Sequence, residues 1–244
     1  MPDKRTTLAN SSLLVLLLLA VITSLSMGTV QVPPPDVLQA LMGNADPMTA
    51  FVVNELRLSR VVAGLLSGAA LAMAGCLMQT LARNRLATPG IIGIDNAATA
   101  FAVASVVGVG LSLAPSAMAL AGAACATAIA FGLAGANGTR GYRFIVAGIG
   151  IGAIAGAVTQ VMLSRVAIDA ANAAYPWTVG SLNARSGNSV LVLAIGLAAG
   201  YAILMLISRA LNTLQFSDAV AIALGTRLKA TRILGLALSV LLTG

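Results

Sequence analysis

Long apolar runs constrain the fold of this sequence more than any other feature. Six runs of about 20 residues each reach the length that an α-helix needs to cross the hydrocarbon core of a bilayer. They are Leu8–Met27, Val61–Leu81, Ile91–Gly110, Leu113–Gly135, Phe144–Ser164 and Val190–Ser208, and Asp95 is the single charged residue within them. A seventh run starts near Ile233 and is cut short at Gly244. We therefore predict an all-α polytopic membrane protein, a bundle of six complete transmembrane helices and a truncated seventh.

The composition excludes several classes of function. Hydrophobic residues make up 59% of the chain and charged residues 9%, too few charges to cover a soluble globule. The chain has no His, which excludes imidazole bases, Ser/His/Asp triads and His metal sites. Its two cysteines, Cys76 and Cys125, lie inside apolar runs, which argues against a disulfide framework and a zinc site. No catalytic residue, metal or cofactor is predicted.

The distribution of positive charge predicts the orientation. With the N-terminus in the cytoplasm, ten of the 14 Lys and Arg residues fall on the inner side, as the positive-inside rule requires. The outer side then holds Arg57, Arg60, Arg165 and Arg185. The net charge of +7 follows from this topology, and a nucleic-acid partner is not needed to explain it.

Small residues recur at four-residue spacing within the spans. The stripes are Gly64, Gly68, Ala72 and Cys76, then Gly122, Ala126, Ala130 and Ala134, then Gly148, Gly152 and Gly156. Such spacing lets helix backbones approach closely in lipid. We interpret these stripes as helix packing, with Cys76 as a small packing residue.

Two segments between the first spans carry features beyond simple crossing. Pro33, Pro34 and Pro35 followed by Asp36 predict the start of a short interfacial helix on the outer side. Next, Arg57 and Arg60 stand on one helix face at the water boundary. These arginines either snorkel to the interface or form a cationic docking point for an acidic partner.

The stretch from Arg83 to Ala97 contains Pro89, Gly90 and Gly93 directly before an apolar run. These residues disfavour a regular helix until about Ile94, so a break in the backbone is expected at membrane depth. Asp95 and Asn96 are interpreted as caps of the third span, with a role in a polar pathway as the alternative.

Two later segments are also expected to be short helices. The segment 167–188, with Tyr175 and Trp177, is expected to form a re-entrant or surface helix. Leu211–Thr231 is long enough for two short helices, with Asp218 as an N-cap and Gly225 as a stop. Its apolar residues either dock onto another protein or lie on the bilayer.

Four stretches together resemble the permease family of ATP-binding-cassette importers for iron-siderophore, haem and cobalamin, the FecCD family. They are VPPPDVLQALMG (Val32–Gly43), RLSRVVAGLLSGAALAMAGCLMQTLARNRLATPGIIGI (Arg57–Ile94), WTVGSL (Trp177–Leu182) and LNTLQFSDAVAIALG (Leu211–Gly225). They occur in the family's order and extend over nearly the whole chain. The sequence departs from the family pattern at Arg85, where Pro is usual, and at Ala97, where Gly is usual.

The resemblance implies one permease domain, residues 1–244, in a family architecture of about ten spans, so this chain would be a fragment or a shortened product. It places the chain in the inner (plasma) membrane of a bacterium. It also implies three protein partners: a cytoplasmic ATP-binding subunit, a periplasmic substrate-binding protein, and a second permease copy or paralogue forming a dimer. It also assigns residues. Arg57 and Arg60 would dock the binding protein. The segment 211–231 would contact the ATPase through Ser217, Asp218, Ala221, Leu224 and Gly225. Asn84, Leu86, Asn137 and Thr139 would belong to a cytoplasmic gate.

Inward transport of iron-siderophore complexes is therefore the expected function, with haem or cobalamin as alternative cargoes. No GxxxxGK[ST] loop occurs, so ATP must be hydrolysed on a separate subunit. The competing class is a secondary transporter driven by an ion gradient, which usually places ionisable residues inside its spans. Asp95 is the one residue of that kind here.

Overall fold

The computed structural model describes residues 4–90, 93–109, 113–134, 142–183 and 187–243, and all regular structure in these ranges is helical. In chain order the helices are α1 (Lys4–Ser26), α2 (Pro34–Leu41), α3 (Pro47–Ala50), a π-helix (Phe51–Leu58), α4 (Ser59–Ala82), α5 (Ile94–Val106), α6 (Pro115–Ala134), α7 (Tyr142–Arg165), α8 (Ile168–Val179), α9 (Gly187–Thr213), α10 (Asp218–Ala223) and α11 (Leu228–Thr243).

Among the described residues, five helices are long and apolar enough to cross a membrane: Lys4–Ser26, Pro47–Ala82, Pro115–Ala134, Arg143–Arg165 and Gly187–Thr213. They correspond to five of the six complete predicted spans, and the all-α membrane fold is confirmed. The remaining predicted span is a shorter apolar helix of 13 residues, α5. The seventh apolar run lies in α11, which begins earlier than expected, at Leu228.

The chain divides into two compact units, and the first comprises Met1–Ser67 with Leu182–Leu193. Its core is formed by the buried residues Leu25, Val32, Val37, Ala40, Val52 and Val53. The predicted short helix after the prolines is confirmed as α2, with Asp36 in its first turn. Along α1 most apolar side chains are exposed, whereas Leu25 is buried and Val21 is partly buried against the core of this unit. Such a surface suits lipid, whose tails are as apolar as Leu.

The second unit comprises Gly68–Ser181 with Ala194–Gly244. Within it α5 packs against α6, α7 and α8. The predicted stripe on α6 is confirmed, since Gly122, Ala126, Ala130 and Ala134 are all buried. The stripe on α4 behaves differently, because Gly68, Ala72 and Cys76 are exposed. The prediction that Cys76 packs against another helix is therefore wrong for the described part of the chain.

The predicted backbone break before the third span is confirmed, since α5 begins at Ile94. Gly93 adopts the left-handed conformation with φ +71°, and a Cβ there would lie 2.6 Å from Gly148 O and from Gly152 N. Asn96 Nδ2 donates a hydrogen bond to Gly152 O at 3.1 Å. Gly93, rather than Asp95 or Asn96, is the N-cap, so the capping prediction is wrong. Asp95 lies in the first turn, where its charge complements the helix dipole.

The two later segments differ in how well they match expectation. The predicted short helix around Trp177 is confirmed as α8. Between α9 and α11, a stretch described without a gap, one short helix forms instead of two. This helix, α10, has six residues, and its N-cap is Ser217 rather than Asp218. The Ser217 hydroxyl accepts a hydrogen bond from Val220 N at 3.4 Å, which Asp218, one residue inside the helix, is not placed to do.

Candidate functional site

Arg57 lies near the end of the π-helix and binds the end of α1. Its Nη1 donates hydrogen bonds to Leu25 O at 2.7 Å and to Ser26 O at 3.1 Å, and its Nη2 donates to Val30 O. The last carbonyls of a helix lack partners within the helix and carry partial negative charge. The Arg57 guanidinium therefore caps α1 with its planar fork of donors.

A second side chain of the π-helix caps the neighbouring helix. Asn54 Nδ2 donates a hydrogen bond to Ala40 O, near the end of α2, at 3.1 Å. Val52 and Val53 of the same π-helix are buried in the core of the first unit. One helical segment thus holds α1 and α2 together through two polar side chains and two valines.

Arg60 lies three residues after Arg57, in the first turn of α4, and is exposed to solvent. It lines a cavity of about 420 Å³ together with Arg57, Leu56, Val30 and Met27. The partners that the structure gives Arg57 are neutral carbonyls, so the guanidinium keeps its full charge. The structure brings the two predicted docking residues to one cationic cavity but gives them different surroundings.

The 211–231 segment carries the residues predicted to contact an ATPase. Ala221 is fully buried, whereas the apolar side chains of Val220 and Ile222 in α10 and of its C-cap Leu224 are exposed. Gly225, with φ +81°, ends the helix in the left-handed conformation. Gly225 N donates to Ile222 O at 2.8 Å and Thr226 N to Ala221 O at 3.0 Å, the paired bonds of a Schellman motif.

An ion pair joins α10 to α11. Arg232 Nη2 lies 3.1 Å from Asp218 Oδ1 and 3.3 Å from Asp218 Oδ2. The Arg232 side chain is 9% exposed and that of Asp218 is 41% exposed. A buried guanidinium needs a partner of opposite charge, and Asp218 provides it. The Asp218 carboxylate therefore points toward α11.

Two further hydrogen bonds tie down this segment. Arg83 Nη2, at the end of α4, donates to Phe216 O, just before the N-cap of α10. Thr213 and Thr226 share a hydroxyl hydrogen bond of 2.7 Å across the base of the segment. Arg83 has φ +49°, the left-handed region that costs an L-residue roughly 1 kcal/mol. Its bond to Phe216 O offsets part of that cost.

Two of the four predicted gate residues lie in the part of the chain that the structure describes. Asn84 Oδ1 accepts a hydrogen bond from Leu86 N at 2.9 Å, which forms a tight turn directly after α4. The Leu86 side chain is 78% exposed. Asn137 and Thr139 fall outside the described residues. The structure thus shows the shape of one predicted gate loop, a turn that presents an apolar tip.

A comparison with family models identifies the chain. The model of the FecCD transport family matches residues 16–244. This chain belongs to the FecCD transport family. The assignment agrees with the order of the four stretches that resemble the family and with the all-α membrane fold.

Several curated permeases are similar to this FecCD chain. The ferric enterobactin transport system permease protein FepD of Escherichia coli is 37% identical over 97% of this chain and 72% of its own length. The achromobactin transport system permease protein CbrC of Dickeya dadantii is 35% identical over 98% and 70%. The Fe(3+)-citrate import system permease protein YfmE of Bacillus subtilis is 30% identical over 99% and 73%. This chain is accordingly a membrane-spanning transport subunit rather than an enzyme.

A solved structure agrees with the FecCD fold. The inward-facing conformation of a metal-chelate type ABC transporter matches with a TM-score of 0.79 at 22% identity, over 95% of this chain and 72% of that one. The match supports the helix arrangement of a transporter permease.

The sequence analysis did not identify Arg83 and Arg232 as functional candidates. It counted both only among the positive charges that predict the orientation in the membrane. Arg232 had a usable signal, because it is an arginine at the start of an apolar helix and such a charge requires a partner. Asp218, the acid already singled out, was available 14 residues earlier. Arg83 had no comparable signal, since its acceptor is a backbone carbonyl, which every residue has.

Proposed function

We propose that this chain is the permease subunit of a binding-protein-dependent ABC importer that carries iron-siderophore complexes into the cell. The observation that carries the proposal is the set of exposed apolar side chains on α10 and its C-cap, a helix joined to α11 by the Asp218–Arg232 pair on a chain of the FecCD family. A short helix of that kind fits a groove on a separate ATPase. The printed names of two relatives, a ferric enterobactin permease and an Fe(3+)-citrate permease, support an iron chelate as the cargo.

The orientation follows from the charges. With the N-terminus in the cytoplasm, the 211–231 segment faces the cytoplasm and Arg57 and Arg60 face the periplasm, as the excess of inner Lys and Arg requires. A periplasmic substrate-binding protein would then meet the cationic cavity, and a cytoplasmic ATP-binding subunit would meet α10. A second permease copy or paralogue completes the assembly that we propose for the bacterial inner membrane.

Arg57 and Arg60 contribute differently to the proposed docking. Arg60 is exposed and can form an ion pair with a carboxylate of the binding protein. Arg57 holds the end of α1 in place and adds positive charge to the cavity. Docking therefore depends on Arg60 for contact and on Arg57 for the shape of the surface.

At the cytoplasmic end, Leu224 and Ile222 supply the apolar contacts with the ATPase. Ser217 and Gly225 define the two ends of α10, and the buried Ala221 packs α10 against the rest of the second unit. Asn84 and Leu86, with Asn137 and Thr139, form the proposed gate that closes the pathway inside.

Reconstitution into proteoliposomes tests the proposal. The chain is combined with its cognate ATP-binding subunit and binding protein, and uptake of radiolabelled ferric siderophore is measured. We expect uptake that requires ATP and both partners and that persists when ionophores collapse ion gradients. Uptake that an ionophore abolishes and that needs no ATPase would assign the chain to secondary transport. Uptake of haem or cobalamin in preference to ferric siderophore would keep the mechanism and change the cargo.

A further inference from the structure

We propose that Arg232 and Arg83 are positioning residues that hold the N-terminal end of α10 to two different helices and so transmit its movement to α11 and α4. The inference rests on the proposed function, because the movement matters only if α10 contacts an ATPase. It assigns the Asp218 carboxylate to an ion pair within the permease rather than to a contact with the ATPase.

The first step concerns the stability of α10. A helix of six residues cannot persist by its own hydrogen bonds, since isolated helices below about 12 residues are marginal in water. Its orientation must therefore come from contacts with the rest of the second unit. Ala221 provides an apolar contact, and its methyl group is too small to fix the rotation of the helix alone.

The second step concerns the ion pair. Asp218 opens the first turn of α10, and Arg232 lies in the second turn of α11, so the pair closes the loop that contains Gly225. Because Arg232 is almost completely buried, separating it from Asp218 would leave an unpaired charge inside the protein. Displacement of α10 must then either carry α11 with it or break the pair.

The third step concerns a second contact at the N-terminal end of α10. The Phe216 carbonyl precedes the N-cap and accepts a hydrogen bond from Arg83 at the end of α4. Residues 216 and 218 are thus held by different helices, one on each side of Ser217. A displacement of α10 is therefore felt at the end of α4 and at the start of α11 together.

The fourth step concerns what stays free. With Asp218 turned toward Arg232, the large apolar side chains that α10 and its C-cap expose are Val220, Ile222 and Leu224. The polar groups therefore fix the helix, and the apolar groups remain for a partner.

Amide hydrogen exchange on the detergent-solubilised chain tests the positioning role without any partner. Asp218→Asn removes one charge at nearly constant volume, and Arg232→Asp and Asp218→Arg reverse one charge each. We expect exchange of the 220–226 amides to become about tenfold faster in each single variant, a moderate effect because Asp218 is partly exposed. In the double variant Asp218→Arg/Arg232→Asp, the pair reforms with exchanged signs, and exchange should return to within about threefold of the original.

Arg209→Asp is the matched control, since this exposed arginine near the end of α9 undergoes the same change of charge. Exchange at 220–226 should stay within about twofold of the unmodified chain. Arg83→Gly tests the second tether: glycine adopts the left-handed conformation at no cost, so faster exchange near Phe216 would come from loss of the donor. Unchanged exchange there would refute the role of Arg83.

Uptake and ATP hydrolysis in proteoliposomes give the functional readout. In the single variants we expect uptake per ATP hydrolysed to fall about tenfold, and in the double variant to recover to within about threefold. A double variant no better than its parents in both exchange and coupling would overturn the proposal. If exchange responds as expected while the unmodified chain shows no ATP-driven uptake, the positioning role stands and the proposed function fails.

Discussion

Arginines anchor helices in both units of this molecule, but the charges of their partners differ. In the first unit, Arg57 is bonded to the carbonyl oxygens of Leu25, Ser26 and Val30, which are dipoles without net charge. In the second unit, Arg232 is bonded to the carboxylate of Asp218. The first arrangement anchors a helix and leaves a cationic surface, whereas the second anchors a helix and neutralises the charge.

The difference fits two kinds of partner. A surface that keeps its positive charge attracts an acidic protein over a distance and orients it on approach. A surface whose charges cancel internally offers apolar contact instead, as the exposed side chains of α10 do. The two arrangements therefore suit two proteins of different chemistry.

The largest effect should come from placing a charge among the exposed apolar side chains at the C-terminal end of α10. Leu224→Asp should weaken retention of the ATP-binding subunit about hundredfold, because a desolvated carboxylate without a partner opposes binding. Leu224→Met keeps the apolar area and should stay within about threefold. Co-purification of the ATP-binding subunit with the tagged permease measures both. Normal retention in the Asp variant would show that α10 is not the contact.

Arg57→Ala should have the next largest effect, on local stability. It removes the charged donor from three carbonyls, so exchange of the amides around residues 27–32 should accelerate about 30-fold, equivalent to about 2 kcal/mol. Arg57→Lys keeps the charge without the fork and should restore only part of the protection. Full protection in the Lys variant would mean that charge alone, rather than the paired donors, anchors α1.

Arg60→Ala should separate contact from anchoring. Exchange in the first unit should remain within about twofold of the original, while affinity for the binding protein falls about fivefold at low salt. The loss should shrink at high ionic strength, because exposed charges are screened. Titration of the binding protein at two salt concentrations measures this. Faster exchange around residues 27–32 in this variant would remove the distinction between the two arginines.

The smallest effect concerns the start of α3, where Asp46 is the N-cap. Hydrogen bonds from the Thr49 side chain and from the Thr49 backbone N–H, the latter at 3.0 Å, hold the pKa of Asp46 below its ordinary 3.8. Because this pKa is lowered, the ionised Asp46 cap stabilises α3 fully at pH values above the ordinary pKa. The stabilisation is lost as the pH falls through the pKa of the folded state.

Asp46→Asn caps without titrating and serves as the reference for this effect. The rate of Thr49 amide exchange in the unmodified protein, divided by the rate in the Asn variant, should stay constant near neutral pH. It should rise when the pH falls below 3.8. A ratio independent of pH down to full protonation would show that the carboxylate charge contributes nothing.

The spans could be predicted from sequence because the bilayer leaves few alternatives to a helix of about 20 apolar residues. The N-cap residues of the helices were harder to predict, since a shift of one or two positions decides which residue is the cap. Ser217 rather than Asp218 caps α10, and Gly93 rather than Asp95 caps α5. In both cases the acid lies just inside the first turn.

The partners of the site residues were the least predictable part. Arg57 was interpreted as a residue free to meet another protein, yet it bonds to carbonyls far away in sequence. Backbone acceptors exist at every position, so no pattern of side chains marks the three that Arg57 reaches. An acid such as Asp218 can at least be matched to a buried arginine by charge.

In the π-helix Phe51–Leu58, the number of residues matters as much as their identity. Asn54 reaches α2 and Arg57 reaches α1 from positions three residues apart in this π-helix. Deleting one residue between them would change the angle between the two side chains about the helix axis. A homologue with one residue fewer here could keep both side chains and still lose one cap. In this part of the family, alignment gaps therefore deserve the same weight as substitutions.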